Sequence, residues 1–349
     1  MKNPFVTNGY VSPEYFCDRE KETAKIVSLL TNENNIALIS PRRLGKTDLL
    51  RHCFGQPEIK EHYHTFIIDI YATSSVRDFV NVFGKAVLDE LRPKGKSVWG
   101  TFLNVLASLR SEITFDMNGQ PTWGIGLGAI TNPSATLDEI FSYLNNAGRP
   151  CLIAIDEFQQ ITKYADDPNI EAALRTHIQR CSNAHFVFSG SHRHLMGAMF
   201  TSPARPFYQS VTLINLPPIS VDKYAEFCLR HFERASKHLD TLVVTELYER
   251  FNGITSYMQK VMNILFSMTG TGEICIPSMI DTAINDLLDF SADTYDALLY
   301  QMPEKQRIVF MAIAAEGKAK AISSGDFVRK YKLQSASSVS SAVKGLLEK

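Results

Sequence analysis

Five short, predominantly apolar runs punctuate the first part of the chain: Ile36–Ile39, Thr65–Ile70, Cys151–Ile155, His185–Phe188 and Val211–Leu216. Each is shorter than a typical helix, and amphipathic patterns such as Val76–Leu91, Leu137–Asn145 and Ile170–Arg180 fall between them. Strands that are apolar on both faces must be covered on both faces. The alternation therefore predicts one parallel five-stranded α/β sheet with helices on either side. One stretch interrupts it. "ITFDMNGQPTWGIGLG" (113–128) carries β-forming flanks around Asn118-Gly119 and predicts an inserted antiparallel hairpin.

Beyond Leu216 the pattern changes. Pro217-Pro218 is followed by helical segments at Val221–Glu233, Leu242–Arg250, Ser256–Met268 and Ile280–Asp289. Near Gln301 a smaller unit begins, where Pro303 opens a helix that Gly317 closes. The expected organisation is a core over residues 1–216, a helical domain over 217–300 and a terminal unit over 301–349, in keeping with a chain of 349 residues. A formal net charge of −1 excludes any whole-protein charge argument for nucleic acid or membrane binding, so such a surface must be local. No apolar run reaches membrane-spanning length and the N-terminus lacks a signal-peptide core, which predicts a cytoplasmic protein without membrane association. The six cysteines, none in a C-x-x-C pair, read as buried free thiols.

The first apolar run empties into "SPRRLGKT" (40–47), a phosphate-binding loop with serine where glycine usually opens the motif. Strand, tight loop and helix start are the context such a loop requires. Backbone N–H groups from Ser40, Pro41, Arg42, Arg43, Leu44 and Gly45 onward to Asp48 would surround phosphate oxygens, except at proline, which has none. Lys46 would reach the β- and γ-phosphates and Thr47 would ligate Mg²⁺. The competing reading is an ordinary helix start. The third run resolves much of that ambiguity. "CLIAIDEFQQI" (151–161) ends a buried strand in two acids, and buried carboxylates need partners. Asp156 can hold Mg²⁺ and Glu157 can deprotonate an attacking water, so ATP and Mg²⁺ are the expected ligands.

The chain resembles the archaeal-type ATPase family, in the AAA+/STAND group of P-loop NTPases. The resemblance rests on "YFCDREKE" (15–22), "PRRLGKTDLL" (41–50), "IAIDEFQQI" (153–161), "LRTHIQ" (174–179), "FSGSHRHLM" (188–196) and "SPARPFYQS" (202–210), which together span most of residues 10–270. It implies a strand between the loop strand and the acidic strand that ends in a polar sensor, Ser189 or Ser191. It also implies an adenine border at Arg19 and Glu20, and a helical lid over the nucleotide. Arg205 stands where related ATPases often place an arginine for a neighbouring subunit's γ-phosphate, which would entail self-association. Packing among Pro206, Phe207 and Tyr208 is the alternative for Arg205, and Arg175 is a weaker candidate. The lid segment "NGITSYMQ" (252–259) departs from the Gly-x-Pro of related proteins, which puts its contact with nucleotide in doubt. The alternating His192, Arg193 and His194 form no credible metal set.

At the C-terminus, "SSGDFVRKYKLQSASSVSSAVKGLLEK" (323–349) predicts two helices, the second with a core stripe of Val339, Val343, Leu346 and Leu347. Residues 295–349 hold nine Lys/Arg against five Asp/Glu. This resembles the core of a winged-helix domain, and Lys330 and Lys344 would flank either a DNA or a protein partner. The expected function is a slow ATPase acting as a conformational switch. The alternative is a nucleotide-gated DNA-binding or scaffold regulator with little turnover.

Overall fold

The computed structural model describes residues 2–91, 112–115, 121–124, 133–317 and 319–347. In chain order the strands are β1 (Ile36–Ile39), β2 (His64–Asp69), β3 (Glu112–Phe115), β4 (Pro121–Gly124), β5 (Cys151–Asp156), β6 (Ala184–Gly190), β7 (Thr212–Asn215), β8 (His238–Leu239) and β9 (Ile274–Cys275). Five of them make one sheet in the order β2-β5-β6-β1-β7, every neighbouring pair parallel. The acidic strand β5 is thus separated from the loop strand β1 by β6. β3 and β4 pair antiparallel with Glu112 opposite Gly124. The Asn118-Gly119 turn and residues 125–128 lie outside the described residues.

The sheet forms because its central strands are buried throughout. β1, β5 and β6 have no exposed position. Alternate residues of one strand enter opposite cores, following the two-residue period of a pleated strand. Ala37, Ile39, Ile153, Ile155, Phe186 and Phe188 join the helices Val76–Glu90, Pro133–Asn145 and Ile170–Arg180 on one face. Ile36, Leu38, Leu152, Ala154 and Val187 join Glu20–Thr31 and Lys46–Phe54 on the other. The register aligns the strand ends: Ile39 lies opposite Gly190, and Asp69 opposite Asp156. One carboxyl edge therefore collects the loop, the acid pair and the end of β6, as open parallel sheets collect their ligands.

Three further helices, Val221–Arg234, Thr241–Phe251 and Thr255–Met268, form the helical lid, joined by the small parallel pair β8–β9. The start of the chain is built into it. Phe5 is fully buried against Phe227, Phe232 and Phe266. Asn3 Nδ2 donates to the Asn263 carbonyl at 2.7 Å, and Asn263 Nδ2 returns a bond to the Phe5 carbonyl at 2.7 Å. All six cysteines are free and buried.

The chain divides into two compact units, Met1–Ile280 and Asp281–Lys349. The helix read as Ile280–Asp289 continues to Tyr300, because no Gly or Pro stops it before Pro303. In the second unit, helices Glu304–Glu316, Gly325–Lys330 and Ala336–Leu347 pack Val309, Ala312, Phe327, Leu333, Val339 and Ala342 together. Leu347, expected in the core stripe, is 76% exposed at the helix end, and Ala342 takes the buried place. Among the described residues no helix is long and apolar enough to cross a membrane.

Phe5 is the main apolar anchor of the N-terminal segment, so Phe5→Ala should lower stability by about 3–5 kcal/mol, the usual range for a buried Phe. Urea unfolding followed by circular dichroism measures it; a change under about 0.5 kcal/mol would remove Phe5 from this role.

Candidate functional site

The loop leaves β1 at Ser40, which is fully buried and bonds through Oγ to the Pro41 carbonyl at 3.0 Å. Ser40 is not among the residues with positive φ; within the loop those are Arg43, at 71°, and Gly45, at 82°. The serine therefore stands where no left-handed conformation is needed, while the glycine that must be glycine is present. Gly45 precedes the helix Lys46–Phe54, whose N-cap makes no side-chain hydrogen bond, so its first amides are available to an anion. Lys46 is buried, and its Nζ donates to the carbonyls of Ser40 at 3.2 Å and Pro41 at 3.3 Å. Burial pushes the Lys46 pKa down and Arg42 adds to this, whereas Asp156 and Glu157 pull it up. Bringing a phosphate to this ammonium would offset the burial penalty.

Across the sheet edge, Thr47 Oγ1 donates to Asp156 Oδ2 at 2.6 Å, and the Glu157 amide donates to Asp156 Oδ1 at 3.0 Å. A hydroxyl and a buried carboxylate in contact, on neighbouring elements, form an oxygen donor set suited to a hard cation that keeps several waters. Thr47 and Asp156 therefore fit Mg²⁺. Glu157 itself sits at φ 55°, a left-handed conformation. Its Oε2 accepts from Ser191 Oγ at 2.7 Å and from Gln159 Nε2 at 2.5 Å. Arg42 lies beside this group, its Nε 3.4 Å from Ser191 Oγ and its guanidinium over the Tyr71 ring.

These groups open into a cavity of about 900 Å³. Arg42, Arg43, Leu44, Gly45, Lys46, Thr47, Asp48, Asp156, Glu157 and Arg19 all line it. Arg19 is almost wholly buried, fixed by Glu22 at 3.0 Å and by the Pro217 carbonyl at 2.7 Å, so it also ties the core to the start of the lid. Buried Ser40 and exposed Pro41 and Glu20 do not line the cavity. Of the two sensor candidates, Ser191 meets Glu157, whereas Ser189 Oγ is buried without a hydrogen-bond partner. Arg205 is ion-paired with Glu171 and does not line the cavity; nor does Arg175. Burial raises the pKa of Glu171 above the usual carboxylate range, and the charge and hydrogen bond of Arg205 offset this in part. His192, Arg193 and His194 are exposed, and the described residues contain no group of three or more His, Cys, Asp or Glu placed to hold a metal.

Several wall residues carry no periodic or motif signal. Val6 to Val11 form one side, placed there because Phe5 anchors in the lid and Tyr10 meets His52 of the loop helix at 3.0 Å. The lid contributes Thr255, Ser256 and Gln259 despite its departure from Gly-x-Pro. It also touches the loop directly. The Ser256 amide donates to the Arg43 carbonyl at 3.2 Å, and the Arg43 guanidinium lies over the Tyr257 ring and bonds its hydroxyl.

Residues 16–261 match the family model of an ATPase domain predominantly from Archaea, and residues 293–349 match that of a probable winged helix domain. A Walker-type ATPase of Pyrococcus abyssi is structurally similar, with TM-score 0.63 at 18% identity, covering 98% of this chain and 92% of that one. The Aeropyrum pernix ORC2 protein, in ADPNP–ADP complexes, gives 0.58 at 14% identity over 95% and 82%. The Aeropyrum pernix ORC1 protein, in complex with DNA, gives 0.56 at 13% over 96% and 84%. At these identities the three share the fold. No curated protein matches the sequence.

The loop geometry separates its two unusual positions. Ser40→Ala should leave affinity for a fluorescent ATP analogue within about twofold. Gly45→Ala, forced into φ 82°, should cost about 1–2 kcal/mol of stability in denaturant melts and weaken that affinity further. The reverse ranking would mean the loop is built differently.

Proposed function

The chain belongs to the family of ATPase domains found predominantly in Archaea, and from that premise we propose that it binds Mg-ATP between core and lid and hydrolyses it slowly as a conformational switch. The observation that carries this reading is the contact of Thr47 with Asp156 beside Lys46 and Glu157 on one cavity edge. The triphosphate lies along the loop amides, with Lys46 turning from the loop carbonyls to the β- and γ-oxygens. Thr47 and Asp156 would hold Mg²⁺, which would supply charge neutralisation on the phosphate oxygens. Glu157 accepts a proton from water as the water oxygen bonds to the γ-phosphorus. The bond from that phosphorus to the bridging oxygen breaks, and its electron pair leaves with ADP. Arg42, on the cavity wall beside Glu157, would face the γ-phosphate, and Ser191 would act from behind it through Glu157.

Support for a switch comes from the ties between loop and lid. The Ser256 amide and the Tyr257 ring both hold Arg43, so a phosphate that reshapes the loop pulls on the lid helix. Self-association is part of the reading only if Arg205 leaves Glu171 for a neighbouring molecule.

A second reading, a nucleotide-gated DNA-binding or protein-scaffold regulator with little turnover, is favoured by the C-terminal unit. Helix Ala336–Leu347 exposes Ser337, Ser341 and Lys344. Both readings require nucleotide binding, and only the first requires turnover. Lys46→Ala should abolish binding of a fluorescent ATP analogue. Glu157→Gln should keep binding while phosphate release falls at least about a hundredfold, the scale of general-base catalysis. Equal phosphate release from wild type and Glu157→Gln would remove Glu157 from the reaction.

A further inference from the structure

Glu157 is steered by a neighbour that the hydrolytic scheme has not used. Gln159 is 3% exposed, and its Nε2 donates to Glu157 Oε2 at 2.5 Å. Only the amide nitrogen can donate to a carboxylate, so the orientation of the amide is fixed by chemistry. Its other end, Oε1, is buried without a hydrogen-bond partner. A buried amide oxygen left unpaired is costly, so something must hold the side chain in this pose. The backbone provides the slot. A Cβ on Gly190 would fall 2.6 Å from Met196 Cγ and closer still to Gln159 Oε1, so the amide occupies space that only glycine leaves open. Gly190 is also the end of β6, in register with Ile39 at the end of the loop strand. The slot is therefore fixed relative to the loop.

The second donor to Glu157 Oε2 is Ser191 Oγ, so one oxygen of the carboxylate takes two bonds while neither of these donors engages Oε1. We infer that Gln159 is a positioning residue for Glu157: seated in the Gly190 slot, it engages Oε2 and turns Oε1 toward the water that attacks the γ-phosphate. The inference rests on the reading of Glu157 as the base. Gln159 does not line the cavity and so does not touch nucleotide. The proposal thus separates rate from affinity. Charge-assisted hydrogen bonds of this kind correspond to about tenfold to a hundredfold in rate.

The test is steady-state phosphate release by the full chain for Gln159→Leu, which keeps bulk and loses the donor. kcat should fall about tenfold or more, KM for ATP should stay within about twofold, and the unfolding midpoint should not fall. The decisive arm repeats Gln159→Leu in a Glu157→Gln background, in single-turnover format. A residue acting only through Glu157 has no further effect there, whereas a merely structural one lowers the rate again. Gly190→Ala offers an independent route, since its methyl group displaces the amide and should reproduce the kcat loss with unchanged KM. An unchanged or raised kcat in Gln159→Leu, or an additive loss in the double variant, overturns the inference. If Glu157→Gln alone leaves the rate intact, the reading of the base fails first, and that outcome is distinct.

Discussion

The hydrogen bond from Thr47 to Asp156 joins the helix that follows β1 to the end of β5, a strand that is not β1's neighbour. β1 delivers the loop helix and β5 delivers the carboxylate, with β6 between them. For the two oxygens to meet at 2.6 Å, three parallel strands must end at one level and in one register. That register follows from continuous burial: slipping a strand by one residue would exchange its two faces and unpack both cores. The chemistry at the edge therefore depends on Phe186, Phe188, Ile153 and Leu152 as much as on the polar groups.

The same cavity also carries backbone strain. Arg19, Arg43 and Glu157 are non-glycine residues with positive φ that line the cavity, and Asp18, next to Arg19 in the chain, shares the conformation. Such conformations persist only where the surroundings hold them. Here the holders are identifiable: Ser256 and Tyr257 for Arg43, Gln159 and Ser191 for Glu157, Glu22 and Pro217 for Arg19. Two of the three restraints come from or border the lid. Core and lid therefore touch at the loop, through Ser256 and Tyr257 on Arg43, and again where Arg19 meets Pro217.

Much of this was legible in the sequence, for physical reasons. The runs at Ile36–Ile39 and Cys151–Ile155 are buried on both faces, so composition alone marks them as strands. Gly45 and the GKT sequence mark a loop that needs a close backbone approach. Other parts left no such trace. The N-terminal wall from Val6 to Val11 depends on Phe5 finding a lid pocket more than two hundred residues away in the chain, which no local pattern encodes. Which of Ser189 and Ser191 meets Glu157 turns on strand pleat and on where the strand ends; Ser189 is buried and Ser191 reaches Glu157. The pairing of Arg205 with Glu171 joins a loop to a helix, and spacing could not show it. β8 and β9 are two residues each, below what periodicity can detect.

The central claim is that one cavity, walled by loop, acid pair and lid, is a Mg-nucleotide site. Calorimetric titration of ATP into the full chain, with and without Mg²⁺, tests it most directly. The account predicts one site per chain whose affinity rises with Mg²⁺, and a Mg²⁺ dependence lost in Asp156→Asn. Absence of binding in the wild type, or binding indifferent to both Mg²⁺ and Asp156, would contradict it.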